Sequence, residues 1–197
     1  MAITTQADVL RYVIGVLDQL QIPYLVCGSF ASGSFGEPRM TLDIDIIVQL
    51  TRDSVVTLCA EFSDPEFYVS LAAAQDALRS NKQFNVIHPE TGNKVDFMIA
   101  GRDEWSRGQL ERRRLVSLLP DLHGYTASPE DIIISKMRYY KEGGSEKHLR
   151  DCAGVLVVQR ETIDRDYIVQ WCEYFHLTEI WQQILKRVDE AYGPQNT

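Results

Sequence analysis

The sequence predicts an α/β (α+β) protein, with a strand-and-helix part of roughly 120 residues followed by a helical C-terminal part. Leu42, Ile44, Ile46 and Val48 alternate with Asp43, Asp45 and Ile47, the period of a strand with one buried face. Residues 83–88 and 94–99 are strand-like and joined by Pro89-Glu90-Thr91-Gly92-Asn93, a hairpin signal because Gly and Asn tolerate positive φ. After residue 120 the patterning becomes helical. Ser128-Pro129-Glu130-Asp131 supplies a Ser cap, Pro at the first helical position and acids in the first turn.

The remaining elements follow in order. Thr5 and Asp8 read as an N-cap with an acidic first turn, and Leu10, Val13, Ile14, Leu17 and Leu20 recur at helical spacing. Ile22-Pro23 stops that helix. Tyr24-Leu25-Val26-Cys27 is a short apolar run ending at Gly28, the profile of a buried strand entering a turn. Residues 29–36 are rich in Gly and Ser and read as a tight loop opening a short helix. Thr51 caps a helix over Val55, Val56, Leu58, Cys59 and Phe62, and 71–78 reads as another. Residues 102–114 read as a helix and 115–119 as a strand. Beyond Ser128, further helical patterns fall near 145–159, 164–174 and 178–191. The expected division is 1–120 for the core and 121–197 for the helical part.

Composition excludes several classes. A chain of 197 residues can bury a core without disulfides or structural metal. Its 45% hydrophobic and 24% charged residues are ordinary for a soluble globular protein. The N-terminus has neither a basic region nor an apolar run, so it is not a signal peptide, and no apolar stretch reaches bilayer length. Cys27, Cys59, Cys152 and Cys172 are scattered, which points to buried thiols in a reducing cytoplasmic compartment and against a zinc site. A net charge of −8 gives no long-range attraction to nucleic acid, so such binding needs a local patch. Arg102, Arg107, Arg112, Arg113 and Arg114 form one. The alternative is a solvated helix face near Asp103, Glu104 and Glu111.

The chemistry concentrates between Gly28 and Val48. Asp43 and Asp45 project from one strand face, about 7 Å apart at the backbone, close enough to converge on one metal ion or a pair. Asp96, between Val95 and Phe97, is placed to complete the site from a neighbouring strand, binding metal or accepting a proton from an acceptor hydroxyl. Gly28 lets backbone approach a phosphate, and Ser29 with the following amides points donors at it if they open a helix. Arg39 precedes the aspartates and could neutralise phosphate charge. The competing reading is a strand end exposed to water. Against it stands Asp96, whose charge would be costly to bury unpaired between apolar neighbours.

Other candidates are weaker. Ser29, Ser32 and Ser34 lack a Gly-x-Ser-x-Gly elbow, and His88, His123, His148 and His176 lie far apart without metal-ligand spacing, which suits surface or capping roles. Trp105, Trp171 and Trp181 suit the core or a subunit contact better than base stacking. On helix patterning alone, Lys136 reads equally as a plain exposed lysine.

The Gly-Ser turn followed by Asp-x-Asp between aliphatics resembles the nucleotidyltransferase superfamily. Within it, the stretch from Gly28 to Asp45, with Pro38-Arg39-Met40-Thr41-Leu42-Asp43-Ile44-Asp45, looks like the minimal and abortive-infection-type enzymes, often toxins of bacterial toxin–antitoxin pairs. Ser128 to Lys136, then Arg150-Asp151, is similar to the segment after the core in those families. The resemblance covers roughly residues 10–155. It implies a mixed sheet flanked by helices, with NTP and Mg²⁺ (or Mn²⁺) in a cleft between the two parts. Asp43, Asp45 and Asp96 would hold metal, and Gly28, Ser29, Arg39 and Lys136 would hold the NTP, with Asp151 in support. An NMP would pass to RNA, through the Arg102 to Arg114 segment, or to a protein or a small molecule such as an aminoglycoside. An antitoxin would be the partner protein. The rivals are a non-catalytic NTP-binding or regulatory protein of the same fold, and a phosphodiesterase or hydrolase using the same carboxylates.

Overall fold

The computed structural model describes residues 3–36, 43–62 and 65–193. The chain forms two compact units, Met1–Phe30 with Met40–Ala127, and Ala31–Arg39 with Ser128–Thr197.

The first unit is built on a seven-stranded mixed sheet of order β3-β4-β5-β2-β1-β7-β6. The strands are β1 Tyr24–Val26, β2 Asp43–Val48, β3 Tyr68–Val69, β4 Gln83–His88, β5 Asn93–Ile99, β6 Arg114–Leu119 and β7 Leu122–Thr126. β2 runs parallel to β5 and β1 parallel to β7, while the other neighbours are antiparallel. The helices of this unit are α1 Gln6–Gln19, α3 Arg52–Glu61, α4 Leu71–Ser80 and α5 Glu104–Glu111; α2 spans Gly28–Phe35.

One sheet face is apolar because alternate strand residues are. Ile44, Ile46 and Val48 of β2, Val95 and Phe97 of β5, and Phe84 and Val86 of β4 join Val9, Leu10, Val13, Ile14 and Leu17 of α1 and Leu58 of α3 in one core. Phe97 anchors it, stacked on Phe84 at 5.2 Å and 6.1 Å from Phe62 between ring centroids. Truncating a buried Phe of this kind typically costs about 3–5 kcal/mol. The other face of β2 and β5 is thereby left to the polar residues.

Local signals set most boundaries. Thr5 and Asp8 form a full capping box on α1, and Thr51 caps α3 by accepting from the Ser54 amide. The helix expected over 102–114 is shorter: Asp103 caps α5 and Arg112 ends it, so the following arginines lead into β6. β3 and β7 escaped the sequence reading. β3 is only two residues long, and β7 carries Gly124, which interrupts its apolar pattern. A Cβ there would meet Leu118 Cδ1 at 2.5 Å, so a larger residue would require the Leu118 side chain to move.

The second unit contains α6 Pro129–Gly143, α7 Glu146–Val158, α8 Arg165–Phe175 and α9 Thr178–Tyr192. α6 packs on α7 and α8, and α7 and α8 pack on α9. Ser128 caps α6 with Pro129 in its first turn, and Gly144 ends it in the left-handed region. His176, also left-handed, ends α8, and Trp105, Trp171 and Trp181 are all buried. His88 departs from its expected surface role: it is buried, and its Nδ1 lies 2.9 Å from Thr91 Oγ1 in the hairpin turn. Among the described residues no helix is long and apolar enough to cross a membrane. All four cysteines are reduced thiols, with Cys59, Cys152 and Cys172 buried and Cys27 half-buried.

Candidate active site

Parallel pairing fixes which side chains meet. Asp43 lies opposite Lys94 and Asp45 opposite Asp96 in the β2–β5 ladder. Residues opposite one another in a ladder share a face, so Asp43, Asp45, Lys94 and Asp96 all project from the polar side. The carboxylates expected to act together are therefore neighbours on adjacent strands. Asn85 of β4 faces Asp96 from the other side.

Lys94 is the residue that sequence reasoning missed. Its Nζ lies 2.8 Å from Asp96 Oδ2 and 3.7 Å from Asp43 Oδ1, so one ammonium bridges two of the three carboxylates. The hydrogen bond to Asp96 raises the Lys94 pKa above its ordinary value, with the Asp96 and Asp43 charges adding to it and desolvation opposing. Only the i, i+2 spacing of Lys94 and Asp96 on a strand could have revealed it.

Gly28 closes the site from β1. It sits at φ +64°, and a Cβ there would lie 1.9 Å from Asp45 Oδ2. No side chain fits between this turn and the Asp45 carboxylate. The Cys27 amide donates to the Asp45 carbonyl at 2.8 Å, tying the turn to β2. α2 starts at Gly28, which places Ser29 in the first turn, where helix amides and the dipole favour an anion.

The donor set suits a hard divalent cation. Magnesium is usually held by one or two carboxylates with substrate phosphates and water completing the octahedron, and the Asp43–Asp45 pair supplies that minimum. Among the described residues no group of three His, Cys, Asp or Glu side chains is arranged around a single ion point. The bridging ammonium of Lys94 stands among those oxygens instead.

Arg39 lies outside the described residues. Lys136 and Asp151 belong to the second unit and pair with each other, Nζ to Oδ2 at 2.6 Å, with side chains only 4% and 10% exposed. Lys136 is thus not a plain surface lysine. Also in this unit, Asp131 accepts from Ser128 Oγ at 2.9 Å and from the Tyr167 hydroxyl at 2.9 Å, fully buried. Glu130 accepts the Asp164 amide at 3.0 Å. The cap at Ser128 was legible; its burial was not.

The arginine segment is divided. Arg113 stacks over the Tyr125 ring at 4.5 Å and donates to the Leu110 carbonyl. Arg102 and Arg107 are exposed and join Arg79 around a depression of about 580 Å³ whose lining includes no carboxylate.

No protein-family model matches this sequence, and no curated protein does. Solved structures do match. The crystal structure of ANT(2″)-Ia in complex with adenylyl-2″-tobramycin aligns with a TM-score of 0.61 at 14% identity, covering 88% of this chain and 98% of that one. The solution structure of the same antibiotic-resistance factor gives a TM-score of 0.55 at 12% identity, covering 90% and 95%. JHP933 from Helicobacter pylori gives 0.51 at 12% identity, covering 97% and 80%. The chain has the nucleotidyltransferase fold.

Proposed function

We propose that this protein is a metal-dependent nucleotidyltransferase that moves an NMP from an NTP onto an acceptor. The observation that carries the reading is the in-register placement of Asp45 beside Asp96, with Gly28 pressed against the Asp45 carboxylate. Three residues far apart in sequence, from two strands and a turn, converge on one face of the sheet.

In this reading Asp43 and Asp45 hold Mg²⁺ (or Mn²⁺), and Asp96 either joins them or accepts the proton of the attacking acceptor hydroxyl. The metal, when bound, would neutralise phosphate charge and stabilise the attacking and leaving oxygens of an in-line displacement. Gly28 leaves room for phosphate near the turn, and Ser29 with the first-turn amides of α2 orients it. Lys136 contributes a phosphate contact, its ammonium held by Asp151; this role rests on the sequence resemblance. Arg39 adds charge near the triphosphate on the same ground. Acceptors of three kinds suit such chemistry: RNA, a protein hydroxyl, or a small molecule of the aminoglycoside kind, the last favoured by the likeness to ANT(2″)-Ia. A role as the toxin of a toxin–antitoxin pair, with an antitoxin as partner, follows from the sequence resemblance of the Gly28 to Asp45 stretch, and a cytoplasmic setting from the scattered cysteines.

A second reading, a nucleotide-binding protein without turnover, draws on Lys94, which supplies a cation to the carboxylates from within the chain. One experiment separates the two. Each α-³²P-NTP is incubated in turn with Mg²⁺ and with total RNA, total protein or an aminoglycoside panel, comparing wild type with Asp43→Asn/Asp45→Asn. Label on one acceptor, lost in the double variant, supports transfer and identifies the acceptor. Metal-dependent NTP binding with no labelled acceptor supports the second reading, and release of free nucleotide alone indicates a hydrolase.

A further inference from the structure

A cross-strand ion pair on a sheet ordinarily joins two exposed groups and contributes little. Here one ammonium, that of Lys94, spans two carboxylates on different strands, at 2.8 Å and 3.7 Å. The exposure of the three side chains is graded: 12% for Asp96, 35% for Lys94 and 52% for Asp43. The ammonium therefore closes the buried carboxylate off at the mouth of the site. It places positive charge between two carboxylates, on a flexible four-carbon stem that can move away.

We propose that Lys94 is a resident counter-cation of the metal site, displaced when metal and nucleotide arrive together, so that it couples their binding. The inference rests on the nucleotidyltransferase reading. Without metal, the carboxylates would repel one another, and Lys94 offsets that repulsion for Asp43 and Asp96. A metal ion arriving alone must expel the ammonium and leave it without a partner. A metal ion arriving with a triphosphate brings phosphate oxygens within reach of the same ammonium. Metal alone is therefore penalised and metal with nucleotide is not, which is positive coupling between the two ligands. Lys94 is a positioning residue in this scheme, since it acts through the carboxylates.

The test is Mn²⁺ binding to the protein, read from the electron paramagnetic resonance of free Mn²⁺ with and without an α,β-methylene NTP analogue, each titration corrected against the same analogue without protein because its phosphates bind Mn²⁺ themselves. Wild type should bind Mn²⁺ weakly alone and on the order of tenfold or more tightly with the analogue. Lys94→Met and Lys94→Gln should bind Mn²⁺ alone about tenfold more tightly than wild type, with the analogue's effect reduced by the same factor. Lys94→Arg, which keeps the charge, should behave as wild type. Equal Mn²⁺ affinity in wild type and the neutral variants overturns the proposal, and analogue-dependent binding in all of them would leave the metal–nucleotide reading standing. Failure of every protein to bind Mn²⁺ even with the analogue overturns both. Should the neutral variants fold poorly, wild type alone decides. Amine-reactive footprinting of Lys94 should change when Mn²⁺ and analogue are added together but not when either is added singly; an unchanged footprint overturns the displacement.

Discussion

Gly28 and Asp45 contend for the same space: a methyl group at the first would stand 1.9 Å from a carboxylate oxygen of the second. The turn and the carboxylate thus fix one another's position. Gly28→Ala is expected to cost about 1–2 kcal/mol for a non-glycine residue at positive φ, because its Cβ crowds the following carbonyl. The same methyl would also stand 2.9 Å from Asp45 Cβ, which side-chain rotation does not move, so the turn and β2 must shift apart and the site should be lost. Thermal melting should show a clear loss, and metal-dependent NTP binding should fall about 10–100-fold, the scale of misplacing a group that orients a metal ligand. A variant that melts lower but binds normally would show that Asp45 tolerates the displacement.

The Lys136–Asp151 pair makes a prediction about stability. Removing one partner leaves an uncompensated buried charge, so Lys136→Met or Asp151→Leu should each cost about 3–5 kcal/mol in urea unfolding. The double variant Lys136→Met/Asp151→Leu should recover much of that loss. If the single and double variants were equally unstable, the pair would matter for packing and not for charge.

Asp8 gives a pH dependence. Hydrogen bonds from the Thr5 side chain, at 2.7 Å, and from the Thr4 amide hold its carboxyl at about 2, below the ordinary 3.8. A depressed carboxylate contributes stability that is fully present above its unfolded value and is lost as pH falls through its folded value. The melting-temperature gap between wild type and Asp8→Asn should therefore be constant from neutral pH down to roughly 4, narrow below that, and nearly vanish by about 2. A gap that widens on acidification would reverse the sign.

Arg102 and Arg107 give a test of RNA as acceptor. Reversal of both to Glu should weaken transfer to RNA and lower the slope of log affinity against log salt by about one for each phosphate no longer neutralised. NTP binding should be unchanged. Undiminished RNA labelling would remove this segment from acceptor recognition.

Much of the site was legible because spacing within one strand determines face. Asp43 and Asp45 needed only the alternation with Ile44 and Ile46, and Asp96 only its apolar neighbours. Lys94 was not legible in the same way, because its meaning depends on β2 and β5 pairing in register, and no local pattern encodes that pairing. The burial of Lys136 was hidden for a related reason: an amphipathic stripe shows which face is apolar, not which polar residue a second helix will cover. In the fold, capped helices such as α1, α3 and α6 could be read from their ends. β7 could not, since Gly124 interrupts its apolar pattern and carries no strand propensity of its own.

The strand order has a consequence for how the protein behaves when concentrated. The outermost strands of the sheet are β3, with two residues, and β6, which bears Arg114 and a register shift between Ser117 and Leu119. Open strand edges invite other chains to add on, and extreme shortness, a charge and an irregular ladder are three ways of discouraging them. Leu115, 61% exposed on β6, is the weak point of that protection. Substitution of Arg114 by a β-branched residue would leave Leu115 on an uncharged edge, and precipitation on storage, rather than loss of folding, is the defect to expect from it.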